Sequence, residues 1–544
     1  MSVVSHCAFE LTFLLLLQLM MTTMTLSFRI ANYGFVRSQR PFHLHPYQFN
    51  PYCYSSSTIA RQGALFTTNK QEHQFTTTAT TTTTTTKPQL IIHWKGECDK
   101  HFSAQFRQLE FLNSLAAVWG KLQESTTTTN TTINSIQPPT ITFTNALECN
   151  IDEFGQEQVD LYNEAMQYIT LAADDDNDST RHALYDATER CSLVHAIYQI
   201  MAVGHVPEDL APKAIENGGF ADMVVTPPPN DGTNSNNKNY QKQYPLTWCV
   251  RARNYGGSTG RHSEKARSMT LEQSMLIALT PLLKTFTGKA HLANPDCKIY
   301  VFDGLLGTFP MILARRRARG PLTFTIAPTT RICITNTPLP PTAAFTLCNV
   351  ARIRNGQTIL DPYGGSCTIL LAAAMLAPEC QSVAIDIAPP HILRRDHVLQ
   401  DFETRGLCPP LALIHGDCTS LEIRDQARAA IFDNTTTTTK SNDGFDVICT
   451  DPPYGVRESA KYNELNPLDH LFLSIAQDAE QGKRLVKVGG RVVAFVPVME
   501  EEVLEDCMPS KELTQQAGLE LEMVQEQVLN ERLSRWMVAY QCVR

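Results

Sequence analysis

Close to the C-terminus an apolar run, Phe445 to Cys449, is followed by Thr450 and then Asp451-Pro452-Pro453-Tyr454. Proline cannot donate to a sheet ladder, so these four residues lie just past a strand's end, the edge where parallel α/β sheets bind ligands. Their types suit the exocyclic amine of a nucleobase, a poor nucleophile because its lone pair is delocalised into the ring. A carboxylate oxygen of Asp451 and the carbonyl of Pro452 can each accept one N–H, drawing the nitrogen toward tetrahedral geometry and freeing the lone pair. Two prolines fix φ and hold that carbonyl in place. Tyr454 offers a face for base stacking, worth about 1–3 kcal/mol in single-strand recognition. The plainer reading is a proline turn capped by Asp451, and the surrounding elements decide between the two.

Those elements repeat a pattern. Thr358-Ile359-Leu360 is a short apolar strand, followed by Asp361-Pro362-Tyr363-Gly364-Gly365-Ser366 and a small-residue helix through Ile369 to Met375. Strand, glycine turn and helix bring backbone amides close to a ligand. The turn is not G-x-G-x-x-G and lacks a phosphate-loop lysine, so it does not expect a pyrophosphate. A second strand, Ser382 to Ile385, ends in Asp386, placed to accept the ribose hydroxyls of a nucleoside. A third, Leu411 to Ile414, precedes His415-Gly416-Asp417, whose acid can accept from an adenine amine. Any one of these acids alone reads as a strand-end turn or helix cap. Three in order, without a phosphate cradle, suit a sulfonium nucleoside, S-adenosylmethionine, better than a dinucleotide.

The whole chain sets outer bounds. At 544 residues it exceeds one core, and its net charge of −9 means that a nucleic-acid partner needs a local basic patch. Sixteen cysteines include no C-x-x-C pair, which argues against zinc ribbons and redox pairs; no metal site is expected, and scattered thiols suit a reducing compartment. Leu11 to Met21 is an apolar run of signal-peptide length, too short for a stable membrane span. The arm from Arg29 to Lys95 holds one acid, Glu72, and reads with that run as a targeting or disordered segment over 1–88, addressed to a plastid or mitochondrion. Against targeting, no lysine or arginine precedes the apolar run and Glu10 adjoins it.

Threonine tracts at 76–86, 126–129 and 435–439 and a Pro/Asn/Gly-rich stretch at 227–239 mark exposed insertions. Between them stand an α+β domain over 89–205, a second small α/β or α+β domain over 206–310 with its insertion near 227–239, a basic linker at 311–329, and the chemistry-bearing domain at 330–544. The first domain opens on strand Leu90–Trp94, continues in a helix with Phe106, Leu109, Leu112 and Leu115 on one face, and has a second helix from Ala183 to Met201. The second has strands over Leu246–Arg251 and Lys298–Phe302 and a helix from about Thr270 to Leu283.

Asp-Pro-Pro-Tyr resembles the catalytic motif of amino-methyltransferases acting on adenine N6, guanine N2 or a glutamine amide. The longer T-D-P-P-Y-G-V-R-E is similar to that of the THUMP-containing tRNA (guanine-10-N2)-methyltransferases. Arg331 to Leu347, with Asn336-Thr337-Pro338 at its centre, resembles that family's cofactor-contacting segment. N-P-D-x-x-I-Y-V-F, from Asn294, is similar to the end of a THUMP domain, and Ser192 to Tyr198 with Gly204 resembles the family's N-terminal domain. The resemblance implies a Rossmann-like methyltransferase domain preceded by small α+β N-terminal and THUMP-like RNA-binding domains. It implies that Asn336, Thr337, Asp361, Tyr363, Gly365, Asp386 and Asp417 hold S-adenosylmethionine, and that Asp451, Pro452, Pro453 and Tyr454 hold the guanine. It further implies a tRNA substrate methylated at guanosine 10, a cytoplasmic location and a small zinc-binding activator subunit. The family's turn reads D-P-F-x-G-T-G, whereas this chain has Cys367 at the last glycine, whose Cβ either crowds the methionine moiety or packs into the helix. Arg315, Arg316, Arg317 and Arg319, with Arg331 nearby, form the densest basic run. It reads as a phosphate clamp or as a solvated helix face, with Arg352 and Arg354 extending it. The rival functions are a DNA adenine N6-methyltransferase and a non-catalytic tRNA-binding protein.

Overall fold

The computed structural model describes residues 89–95, 104–126, 138–148, 163–224, 246–255, 264–335, 338–432, 444–454 and 466–544, all within one compact unit, Thr77–Arg544. The expected targeting segment 1–88, the insertion 227–239, nearly all of the threonine tracts, Asn336, Thr337 and residues 455–458 lie outside the described residues.

Strands β1 (Leu90–Trp94), β2 (Ile141–Asn145), β3 (Met166–Leu171), β4 (Val194–Gly204), β5 (Trp248–Asn254), β6 (Cys297–Asp303) and β7 (Met311–Arg319) form one sheet in the order β2-β3-β1-β4-β7-β6-β5. Every pairing is antiparallel except that of β5 with β6. Helices α1 (Ala104–Thr126), α2 (Asp178–Arg190), α3 (Leu210–Glu216) and α4 (Glu264–Ala278) pack on one face. There Phe111, Leu184, Leu210 and Met275 meet Ile92, Ile197, Ile299 and Leu313. The cluster on the other face contains no helical residue among those described.

Two expectations differ from this sheet. The helix expected over Ala183–Met201 stops at Arg190, and Val194–Gly204 is instead β4, whose β-branched and aromatic residues pair on both sides, with β1 and β7. The basic run expected in a linker at 311–329 is β7, held between β4 and β6. The sheet is therefore continuous across the boundary expected at 205–206.

The second sheet contains β8 (Thr358–Asp361), β9 (Gln381–Asp386), β10 (Ala412–His415), β11 (Phe445–Thr450), β12 (Val486–Met499), β13 (Leu519–Asn530) and β14 (Leu533–Cys542), in the order β10-β9-β8-β11-β12-β14-β13. The first five are parallel, and β14 runs antiparallel to both its neighbours. Helices α5 (Pro341–Val350), α6 (Thr368–Leu376) and α7 (Arg395–Glu403) bury one face against Ile359, Ala384 and Val447. Helices α8 (Leu421–Phe432) and α9 (Pro467–Glu480) bury the other against Leu360, Val383 and Ile448. Covering both faces explains why these strands read as unbroken apolar runs, and the doubly wound order is the expected Rossmann-like α/β fold with a C-terminal hairpin added.

The two layers are joined by a buried polar node. Glu110 on α1 accepts from Ser192 N and Oγ at 2.8 Å, Leu193 N at 2.9 Å and Asn349 Nδ2 on α5 at 2.9 Å. Arg190 at the end of α2 donates to the carbonyls of Ile353 (2.6 Å) and Leu376 (3.1 Å). Four accepted bonds satisfy a carboxylate that burial would otherwise strongly disfavour.

Candidate active site

Parallel strands β10, β9, β8 and β11 are successive neighbours, so the acids that close or follow them fall along a single carboxyl-terminal edge: Asp417, Asp386, Asp361 and Asp451. Between β8 and β11 the strand order reverses, which opens the crevice where doubly wound sheets bind ligands. Asp361 and Asp451 flank it. Asp361 is 1% exposed and accepts from Thr450 Oγ1 at 2.7 Å and from the Tyr363 amide at 3.2 Å. Burial pushes its carboxyl up to about 7, with the charges of Asp386 and Asp451 adding to the effect. The crevice thus holds clustered negative charge that a cation would relieve. Asp386 accepts from the amides of Gly365 and Ala388, both at 2.7 Å, and Asp417 from Thr419 N and Oγ1, both at 2.8 Å.

The turn after β8 is built close to β9. The Gly364 amide donates to the Ile385 carbonyl at 2.8 Å, and a Cβ on Gly364 would meet the Ala384 methyl at 2.8 Å. Gly365 adopts φ +47°, and its amide fixes Asp386. Cys367 caps α6 at φ 58°, ψ 34°, a left-handed conformation natural to glycine, and its side chain is buried in the α5–α6 core cluster. Of the two outcomes expected for its Cβ, the structure places the side chain in the core. Tyr363, expected at the cofactor, packs its ring beside the α8–α9 layer and donates its hydroxyl to the Pro467 carbonyl at 2.8 Å, tying the turn to the start of α9.

At the proline pair, Tyr454 donates its hydroxyl to Asp451 Oδ1 at 2.5 Å. Burial and the neighbouring Asp451 charge hold that phenol well above its ordinary range, so it stays a donor. Behind it Arg535 is 3% exposed, donates to Gln527 Oε1 through Nε (2.9 Å) and a terminal nitrogen (2.6 Å), reaches the Tyr454 hydroxyl at 3.5 Å and lies 4.1 Å from the Phe495 ring centroid. Thr450, Gln527, Phe495 and Arg535 were not singled out from sequence. Thr450 adjoins the motif and was within reach of strand alternation, whereas Gln527 and Arg535 arrive through the β13–β14 hairpin and have no spacing signal.

The expected RNA contacts are redistributed, because a strand sends successive side chains to opposite faces. Arg315 is buried on the helix-covered face in a two-pronged ion pair with Asp222 at 2.6 and 2.8 Å, and Arg317 donates to Gln199 Oε1 at 2.7 Å. Arg331 is buried behind the glycine turn, donating to Thr368 Oγ1 at 2.6 Å, to Ser366 Oγ at 3.3 Å and to the Ser366 carbonyl, with Asp401 alongside at 3.4 Å. These bonds occupy Arg315 and Arg331 in holding the fold. Arg316 and Arg319 stand opposite Tyr198 and Ala196, members of the helix-free cluster. The same face carries Lys298, Arg251 and Arg253 on β6 and β5, beside Tyr300 stacked on Phe302 at 5.7 Å and 14°. Burial lowers the Lys298 ammonium, and the charges of Arg316, Arg251 and Arg319 lower it further.

Comparison with known proteins bears on this site. Residues 328–402, which include the glycine turn, α6 and Asp386, match the family described as UPF0020, the RMKL-like methyltransferase domain. Over that segment the chain is similar to a methyltransferase domain. Among curated proteins it is 25% identical to mouse U6 snRNA (guanine-N(2))-methyltransferase THUMPD2 over 42% of this chain and 35% of that protein. It is 23% identical to chicken tRNA (guanine(10)-N(2))-methyltransferase TRMT11 over 51% of this chain and 64% of that one. The chain thus spans about a third to two thirds of the length of these relatives. The resemblance read from the Asp-Pro-Pro-Tyr motif stands, since both relatives are named guanine-N2 methyltransferases. Among solved structures, TrmN from Thermus thermophilus aligns over 70% of this chain and 90% of its own at 20% identity and TM-score 0.32. That overlap is too loose to bear on the assignment. Among the described residues no helix is long and apolar enough to cross a membrane.

Proposed function

We propose that the chain transfers a methyl group from S-adenosylmethionine to the N2 amine of a guanine in a structured RNA, with tRNA guanosine 10 as the first candidate. The observation that carries this reading is the crevice between β8 and β11, where Asp451-Pro452-Pro453-Tyr454 faces the buried Asp361. The residues fit the cofactor: a buried carboxyl raised to about 7 in the company of two further acids calls for a cationic partner. Asp361 and the Gly364–Gly365 backbone would hold the charged methionine end, Asp386 the ribose and Asp417 the adenine. Bound there, S-adenosylmethionine would supply an electrophilic methyl group, the S–CH3 bond breaking to leave the neutral thioether S-adenosylhomocysteine.

The remaining work belongs to the chain's own residues. Asp451 and the Pro452 carbonyl accept the two N–H bonds of the amine and orient its lone pair. Asp451 exchanges its bond from Tyr454 for one from the base, and its carboxylate takes the proton that the nitrogen sheds as the N–C bond forms. Arg535 and Gln527 keep Tyr454 in position for stacking. Positioning and alignment supply the rate enhancement, with no covalent enzyme intermediate. The helix-free face bearing Arg251, Arg253, Lys298, Arg316 and Arg319 is the track for the RNA backbone. An organellar address within residues 1–95 accompanies this reading, and a fluorescent fusion of that segment tests it, with diffuse signal counting against it.

Nucleoside analysis of RNA methylated by the purified chain, with and without a small zinc-binding activator subunit, tests the chemistry. N2-methylguanosine in tRNA is expected. The U6 snRNA named for THUMPD2 is the second substrate to offer. N6-methyladenosine, or no methylated nucleoside from any RNA, contradicts the proposal.

A further inference from the structure

Against the turn that carries Asp417 lies a buried ionic group. Asp478 on α9 is fully buried and binds two arginines of α8. Arg424, 1% exposed, donates to it through Nε at 2.9 Å and Nη2 at 2.7 Å, and Arg428 donates through Nη1 at 2.7 Å. Replacing buried ion pairs by apolar side chains is often neutral or stabilising, so fastening α8 to α9 does not by itself call for charge here. The remaining nitrogen of Arg424 supplies a reason. Its Nη1 donates to the Thr419 carbonyl at 2.6 Å, to the Cys418 carbonyl at 3.2 Å and to Ser474 Oγ at 3.1 Å. Arg428, by contrast, bonds only Asp478 and Asp425 among the described residues.

The contacts continue from the turn to its acid. Thr419 donates through N and Oγ1 to Asp417 Oδ1, both at 2.8 Å, while Oδ2 accepts nothing among the described residues. The Gly416 amide donates to the Asp386 carbonyl at 3.0 Å, which sets the turn beside the acid assigned to the ribose. We infer that Arg424 is a positioning residue for the adenine of the methyl donor. Clamped by Asp478, it fixes the Thr419 peptide; Thr419 then holds one oxygen of Asp417 and leaves the other to accept the adenine amine. Only a guanidinium can grip a carboxylate with two nitrogens and reach backbone carbonyls with the third, which is why arginine stands in this buried place. The role rests on S-adenosylmethionine binding at Asp417, and it makes the donor's base, beyond its charge, something the site reads.

Titration calorimetry of the full chain with S-adenosylhomocysteine and with S-inosylhomocysteine, which has a carbonyl in place of the adenine amine, is the test. The parent should prefer the adenine form by roughly 10–100-fold. Arg424→Lys keeps a charge beside Asp478 but loses the fork, and should bring the preference to within about threefold while affinity for the inosine form stays unchanged. Arg428→Lys disturbs the same buried acid without touching the turn and should keep the preference. Thr419→Ala, at a half-buried position outside the ionic group, tests the same relay where the fold is not at stake, and should lower the preference. A parent without preference, a parent-like preference in Arg424→Lys or in Thr419→Ala, or an equal loss in Arg428→Lys overturns the inference. Binding of neither compound by the parent overturns the cofactor assignment itself, an outcome distinct from failure of the relay.

Discussion

Asp361 and Asp451, the acids that flank the crevice, differ in burial: the first is buried and the second half-buried. Asp361 carries a stability signature of its own. Its folded pKa of about 7 lies above the ordinary 3.8, so the stability it contributes is fully present below about 3.8 and is lost as pH rises through about 7. The full span is on the order of 4 kcal/mol. In the ligand-free protein Tm should therefore fall between pH 5 and pH 8, and Asp361→Asn should flatten that fall; an unchanged slope in the variant refutes the assignment. At this scale the acids were legible in sequence, because each closes or follows a strand of a β-α series and parallel pairing puts those ends on one edge. Arg331 was not. Its partners Ser366, Thr368 and Asp401 lie 35 to 70 residues away, and nothing in a basic run separates an arginine that holds a turn from one that meets RNA.

Among the elements, the glycine turn between β8 and α6 bears the tightest geometry. Cys367 occupies a left-handed N-cap position that costs an L-residue roughly 1–2 kcal/mol, offset by its burial in the α5–α6 core. Cys367→Gly exchanges strain for lost packing and should shift stability by no more than about 1 kcal/mol in denaturant unfolding. Cys367→Val puts a β-branched residue at φ 58° and should cost about 2 kcal/mol or more. Equal effects from the two variants would mean that conformation does not govern this position. The left-handed backbone also accounts for the glycine in the family's pattern, a reason invisible until the turn is seen. β7 was expected in a linker for a related cause: a central strand of a mixed sheet carries Arg315 and Arg317 on its helix-covered face through partners such as Asp222 and Gln199, so local polarity pointed outward while topology pointed inward.

Across the whole molecule, a chain of net charge −9 concentrates cations on the helix-free face of the first sheet, where Arg251, Arg253, Lys298, Arg316 and Arg319 gather over three adjoining strands. If RNA backbone follows that face, Arg251→Gln, Arg253→Gln and Lys298→Gln together should reduce the slope of log K against log salt by about 2, at roughly 0.7 per lost phosphate contact. Arg317→Gln, on the helix-covered face, should leave the slope unchanged. The reverse ranking would remove the face from the account. Its central claim is nevertheless chemical, and one measurement reaches it most directly: single-turnover methyl transfer to tRNA by Asp451→Ala, with donor and RNA affinities measured in parallel. Transfer should fall by roughly 10²–10⁴-fold with both affinities within about threefold of the parent. A transfer rate equal to the parent's would contradict the role given to Asp451 and, with it, the active site proposed between β8 and β11.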